Sequence, residues 1–240
     1  MIVRQARRDP AAHPPWITRT LIAACCAVFL LGPASGLDPA YGTGGALTAA
    51  RTAYFERWGV VPDQLWHSAP AALLSPLTAL FVHGNWLHLL GNMLFLHVFG
   101  AMAEERLGRL PFALCYLVSG YLALLGFAAA HPDSGQSLVG ASGAVSGVLG
   151  AFLHLFPRAR VTSLFPFLFF LPLRFPAWAV LLFWFALQWP GAGAPGDRPG
   201  VAYLAHVLGF GLGFCFAWVS GRRAVRVKDD AAATEGDGTT

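Results

Sequence analysis

The chain has 240 residues, of which 56% are hydrophobic and only 12% charged, with a mean hydropathy of +0.56. A soluble domain carries about 25% charged residues, so the composition excludes a soluble globular enzyme and points to a polytopic, all-α membrane protein. The formal charge of +4 and pI near 9.1 imply no nucleic-acid partner, because the basic residues flank apolar spans instead of forming one patch.

Residues 1–15 are polar, contain Arg4, Arg7 and Arg8, and read as a cytoplasmic N-terminal segment. The apolar run Trp16 to Leu31 follows and ends at Gly32-Pro33. Its basic start and its Pro-Ala-Ser-Gly end fit a signal peptide as well as a first membrane span. Gly36 to Ser75 is a long external loop with only short amphipathic pieces, such as Ala53 to Gly59 and Trp66-His67, whose aromatics suit the headgroup level. A second span is expected from about Trp86 to Met102, a third from Leu110 to Ala130, and a fourth from Ser142 to Phe156. Val161 to Arg174 is apolar but broken by Pro166 and Pro172, and reads as an interfacial connection. A fifth span runs from Phe175 to about Trp189, a Gly/Pro-rich loop from Pro190 to Gly200, and a sixth span from Val201 to Ser220. Residues 221–240 lack an apolar face and read as a disordered cytoplasmic tail.

On this count Arg4, Arg7, Arg8, Arg106, Arg109, Arg158, Arg160, Arg222, Arg223, Arg226 and Lys228 fall on one side, against Arg51, Arg57 and Arg198 on the other. The positive-inside rule then puts both termini in the cytoplasm, so the loops before Ser142 and His206 open outward. Cys25, Cys26, Cys115 and Cys215 fall in apolar runs without metal or disulfide spacing, and read as small buried hydrophobes.

Three stretches carry chemistry. Gly140-Ala141-Ser142-Gly143 opens the fourth span, which at about 15 residues, or about 22 Å of helix, is short for a bilayer core that needs about 20 residues. Its first turn therefore starts below the membrane surface, where irregular backbone survives only if packed in protein or lining water. Polar groups at that depth are functional candidates. Ala205-His206-Val207-Leu208-Gly209-Phe210-Gly211-Leu212-Gly213 puts one histidine near the outer end of the sixth span. His83-Gly84-Asn85-Trp86-Leu87-His88-Leu89-Leu90-Gly91-Asn92 opens the second. Gly209 and Gly213, and Gly143, Gly147 and Gly150, form small faces that let membrane helices approach closely. Such an approach would bring the Ser142 hydroxyl to a base that can activate it.

The patterns H-x4-H-x3-N, G-x-S-G and A-H-x2-G-F-x2-G, in this order, resemble the rhomboid intramembrane serine proteases over roughly Trp58 to Val219. The resemblance implies a six-span helical bundle over residues 16–220, with a catalytic core at about 58–219 and the first apolar run retained as a span. It implies Ser142 as nucleophile, His206 as general base and later acid, and His88 and Asn92 as side-chain donors to the oxyanion beside the Ser142 N–H. His88 and Asn92, spaced i, i+4, share one helix face, and Asn92 has an alternative role in bonding between helices. Glu104 and Arg106 match the family's E-x-R pattern, with a structural pairing to backbone or to each other. Several members support the histidine with a Tyr four residues after the serine, where this chain has Ser146. The Trp-Arg pair that some members carry in the external loop is absent.

No Asp or Glu lies within a span near His206, since Asp133 and Asp197 are in loops, which favours a Ser–His dyad over a triad. His83 reads as shaping its loop or ordering water, and His97 and His154 as structural. His13, His67 and His131 join no constellation. There is no H-E-x-x-H for zinc, no intramembrane Asp pair and no G-x-S-x-G elbow, and neither cofactor nor metal is implied. The expected activity is endoproteolysis of other membrane proteins in or near their transmembrane segments, at a site that unwinds readily and follows a small residue. The expected partners are transmembrane substrates and the lipid bilayer, and the compact plan suggests a bacterial plasma membrane. A catalytically silent rhomboid-like protein that binds membrane clients is the alternative. A transporter would require charged residues along the spans, and these are nearly absent.

Overall fold

The computed structural model describes residues 2–4, 14–67, 70–165, 171–192 and 202–236. Helix α1 (Trp16–Leu31) starts after two prolines and stops at Gly32-Pro33, since a proline cannot continue the amide ladder. No side chain of its own caps its first turn. The cap comes instead from Glu104, whose carboxylate accepts from the Ile17 and Thr18 amides at 2.9 and 2.7 Å and from Thr18 Oγ1 at 2.8 Å. A carboxylate there satisfies donors the helix leaves unpaired and meets the positive end of its dipole. The expected structural pairing of Glu104 is thus with the backbone of α1.

The external loop is more helical than its periodicity suggests. Helix α2 (Gly44–Trp58) has no fully buried residue; Ala46, Ala49, Ala50 and Ala53 supply propensity where no apolar stripe exists. It is followed by α3 (Pro62–His67) and α4 (Ser75–Ala79). Side chains fasten this segment to the bundle. Arg51 donates to the Pro33 and Ala34 carbonyls, Trp66 Nε1 to Ala128 O, and Trp86 Nε1 to Ser35 O, while Tyr121 Oη donates to Leu73 O.

The second expected span is α5 (Trp86–Phe95), a π-helical turn at Leu96–Gly100, and α6 (Ala101–Leu107). In an unbroken α-helix Asn92 and Glu104 would lie about 120° apart. The wider turn takes up about one residue and brings them within about 20° of a common face, and both are buried. One element can then present Asn92 at one end of the bundle and Glu104 at the other. Helix α7 (Arg109–Ala130) and α8 (Ser142–Leu155) follow closely the bounds expected from sequence.

Residues 160–176 depart from the all-α expectation. Strands β2 (Arg160–Phe165) and β3 (Leu171–Pro176) pair antiparallel, and β1 (Ile2–Arg4) adds to the far side of β2, giving the order β1-β2-β3. Val161, Thr162 and Phe175 favour extended backbone, and Pro172 is tolerated because β3 is an edge strand. Helix α9 (Ala177–Ala192) begins two residues later than expected. Helix α10 (Tyr203–Gly236) continues past Ser220 into the stretch whose composition suggests disorder, through Ala231, Ala232 and Ala233, which are strong helix formers.

A helix stands at each of the six expected spans. Among the described residues Trp86–Leu107, Arg109–Ala130 and Tyr203–Ser220 are long and apolar enough to cross a membrane, while Trp16–Leu31 and Ser142–Leu155 are shorter apolar helices. Helix α8 lies at the centre, buried from Gly143 through Phe152. Cys25 and Cys115 are buried as expected, Cys26 is half-buried, and Cys215 points out of the bundle.

The cap on α1 is testable. Glu104→Ala would strand the half-buried Ile17 amide and the buried Thr18 amide and hydroxyl, which costs about 2–4 kcal/mol at the usual penalty for charged hydrogen bonds. Thermal melting in detergent should show a clear drop, and a smaller one for Glu104→Gln, which keeps one acceptor oxygen.

Candidate active site

Ser142 is the first residue of α8, and the backbone that leads into it is held from outside the bundle. Val60 and Leu138 exchange both backbone hydrogen bonds at 2.9 and 2.7 Å, Asp63 N donates to Ser134 O at 3.1 Å, and Gly140 N donates to Ala79 O at 2.9 Å. The loop from His131 to Ala141 is therefore stitched to α3, α4 and the strand-like residue between them and α2. Gly140 has φ +123°, and a Cβ built on it would meet Cε1 and Nε2 of His88 at 2.6 and 2.7 Å. Glycine is required twice there: for its backbone conformation and for the imidazole laid against it. His88 thus rests on the chain two residues before Ser142.

Local sequence positions that imidazole. Asn85 is the N-cap of α5, its Oδ1 accepting from the His88 amide at 2.9 Å, the usual role of Asn at a helix start. The Gly84 amide donates weakly to His88 Nδ1 at 3.5 Å. An acceptor at Nδ1 leaves the ring proton on Nε2, the atom beside Gly140. His83 packs edge-on against His88, with ring centroids 5.2 Å apart. It is 1% exposed, and its Nε2 is buried without a partner, while Nδ1 lies 3.2 Å from Phe81 O. Asn92 is 8% exposed and donates to the His88 carbonyl of its own helix at 3.1 Å. Among the described side-chain hydrogen bonds of Asn92 this is the one present.

His206 enters through the contact of α8 with α10. A Cβ on Gly209 would fall on the Gly143 carbonyl, and one on Gly213 on the Gly147 carbonyl. A Cβ on Gly150 would fall on the Phe210 carbonyl, and one on Gly143 would stand 3.8 Å from Ala205 O. The paired positions advance together, so α8 and α10 run parallel, backbone on backbone. Gly143 sits between Ala205 and Gly209, and its neighbour Ser142 and the bracketed His206 come to the same level. Ser142, His88 and His206 are each half-buried.

Ser146 commits its hydroxyl to the Ser142 carbonyl at 2.6 Å, the i−4 back-bond common to helical serines. Tyr203, which the motifs do not single out, has its ring 6.3 Å from that of His206 at 81°. The remaining histidines stand apart. His97 is exposed on the π-helical turn, His154 packs on Phe214, and His131 stacks on Phe127. His67 pairs with Asp63. Asp133 is an exposed loop residue, and Asp197 and His13 lie outside the described residues. Among the described residues no three His, Cys, Asp or Glu side chains gather as a metal set.

A helical membrane bundle with a half-buried hydroxyl and two imidazoles at one end, brought together by glycines, is the class of protein these elements define. Residues 62–223 match the family model for the Rhomboid domain. The chain belongs to the rhomboid family, and the family and the apolar helices together make it an integral membrane protein. It is similar to Rhomboid-like protein 11, chloroplastic, from Arabidopsis thaliana, 40% identical over 95 residues, 40% of this chain and 33% of that protein. It is similar to Rhomboid protein 1, mitochondrial, from Saccharomyces cerevisiae, 32% identical over 150 residues, 60% of this chain and 41% of that protein. RHOMBOID-like protein 6, mitochondrial, from Arabidopsis thaliana is 28% identical over 149 residues, 60% of this chain and 42% of that protein. The chain therefore spans less than half the length of each of these curated relatives.

The seat of His88 yields a prediction. Gly140→Ala forces a Cβ into the imidazole and a side chain into a backbone region that costs about 1–3 kcal/mol. Whatever activity depends on His88 should fall steeply, while Gly135→Ala, with open space around it, should leave it unchanged. Turnover and melting temperature measured on both purified variants check this.

Proposed function

We propose that the protein is an intramembrane serine endopeptidase that cuts other membrane proteins in or near their transmembrane segments. The observation that carries this reading is the backbone contact of Gly143 with Ala205 and Gly209, which brings the N-terminal ends of α8 and α10 together and so supports a dyad of Ser142 and His206. Membership of the rhomboid family supports the same reaction class.

In this reading His206 accepts the Ser142 Oγ proton as Oγ bonds to the substrate carbonyl carbon, and the carbonyl electron pair moves onto oxygen. The oxyanion is met by the Ser142 N–H, unpaired as a first-turn amide, by His88 Nε2–H and by the Asn92 amide, which still has one N–H beyond its bond to His88 O. Collapse breaks the C–N bond, and the amine departs with the proton held by His206. Water then gives a proton to His206 and its oxygen to the acyl carbon. The acid is released, and the proton returns to Ser142 Oγ. Substrate segments that unwind readily are favoured because a helical backbone hides its carbonyls, and the family resemblance suggests a small residue before the cut. We also propose a bacterial plasma membrane with both termini cytoplasmic, on the compact plan and the distribution of basic residues. The organellar names of the relatives add no support to that location.

Ser142→Ala should abolish cleavage and leave thermal stability nearly unchanged, since it removes one hydroxyl and opens no large cavity. Comparative proteomics of membranes carrying the wild type or Ser142→Ala should find peptides released only by the wild type; identical peptide sets would refute the assignment. Asn92→Ala should lower kcat about tenfold to a hundredfold with a smaller effect on KM, because its donation strengthens in the transition state. An Asn92→Ala protein that melts earlier yet keeps its kcat would instead assign Asn92 to helix packing.

A further inference from the structure

We propose that Tyr203 is a positioning residue for His206, an inference that rests on the serine-protease reading above. Tyr203 is the first residue of α10, and His206 lies three positions later, so the two share one helix face. Helical side chains lean toward the N-terminus, which carries the His206 ring back over the turn that bears Tyr203. The rings meet edge to face, with centroids 6.3 Å apart and planes at 81°, within the range in which aromatic pairs attract.

Such a contact acts on orientation. An imidazole at the half-buried end of a helix has more than one staggered setting, and only one directs a ring nitrogen at the hydroxyl on the neighbouring helix. Holding that setting before substrate binds is what positions a general base, and small misplacements cost rate disproportionately. The hydroxyl of Ser146, one turn into α8, gives its proton to the Ser142 carbonyl at 2.6 Å, so it has no proton left to donate to the imidazole. Tyr203 stands on the same helix as the base, one turn nearer its N-terminal end. The fixed i, i+3 spacing makes the arrangement independent of how far α8 and α10 breathe apart. The ring, not the phenol oxygen, carries the proposal.

The test compares Tyr203→Phe, Tyr203→Leu and Tyr203→Ala in the full-length protein, with Ser142→Ala alongside, against one membrane substrate identified by the proteomic comparison. Tyr203→Phe should keep kcat within about twofold, whereas Tyr203→Leu and Tyr203→Ala should lose about tenfold in kcat, with KM unchanged and melting temperatures matched to the wild type. A role in packing alone would be rescued by leucine and would move the melting temperature. Full kcat in Tyr203→Leu, or an equal loss in Tyr203→Phe, overturns the positioning role. Cleavage that survives in Ser142→Ala overturns the serine reading, and the Tyr203 role with it, so the two failures are distinct.

Discussion

Two parallel helices, α8 and α10, touch backbone to backbone at Gly143–Gly209 and Gly147–Gly213, and the rest of the bundle is arranged so that they can. In a bilayer no hydrophobic force drives helices together, because lipid is as apolar as a leucine side chain; close packing of small residues supplies the attraction instead. A side chain at Gly209 or Gly213 would occupy a carbonyl of α8. The same contact sets Ser142 and His206 at one level. Stability and juxtaposition of the candidate groups therefore have one cause. Ser119 of α7 packs against Gly147 from another side, so α8 is held by two neighbours where it is narrowest.

A second constraint comes from the covering segment. The described residues of the covering segment are not a passive loop; they are tied to the turn after α1, to α7 and to the His131 to Ala141 stretch by hydrogen bonds from Arg51, Trp66, Tyr121 and the Val60–Leu138 bridge. That stitching fixes Gly140, and Gly140 seats His88. The π-helical turn at Leu96–Gly100 lets the element bearing His88 and Asn92 also turn Glu104 onto α1. The end of the bundle with the candidate site and the end with the buried carboxylate are thus coupled through one irregular helix, whose register neither end could satisfy alone.

Much of this was legible in the residues. Composition gave the membrane class, and three spaced motifs gave the family and the elements that carry them. The glycine spacing on the fourth and sixth spans predicted the helix contact found between α8 and α10. The bounds of α1, α7 and α8 followed because proline, glycine and charge interrupt long apolar runs at those places. Less legible were features set by tertiary partners. Helix α2 has no apolar stripe to announce it, and the paired strands β2 and β3 lie in a run whose prolines argue for irregular backbone. The pairing of Glu104 was left open between backbone and Arg106, because α1, which it caps, is distant in sequence. The role of Gly140 as the seat of His88 depends on a positive φ and on a ring arriving from another helix, neither of which leaves a periodic trace. Tyr203 escaped notice because an aromatic residue at the start of a membrane helix is ordinary at the interface, and only its contact with His206 sets it apart.

The account stands or falls on whether Ser142 is a nucleophile activated by His206. The direct measurement is covalent labelling of the purified protein with a fluorophosphonate, followed by peptide mass spectrometry to locate the adduct. The account predicts a single adduct on the Ser142 peptide in the wild type, and a labelling rate that falls by orders of magnitude in a folded His206→Ala variant. An adduct on another residue, or labelling of Ser142 at the wild-type rate without His206, would contradict it.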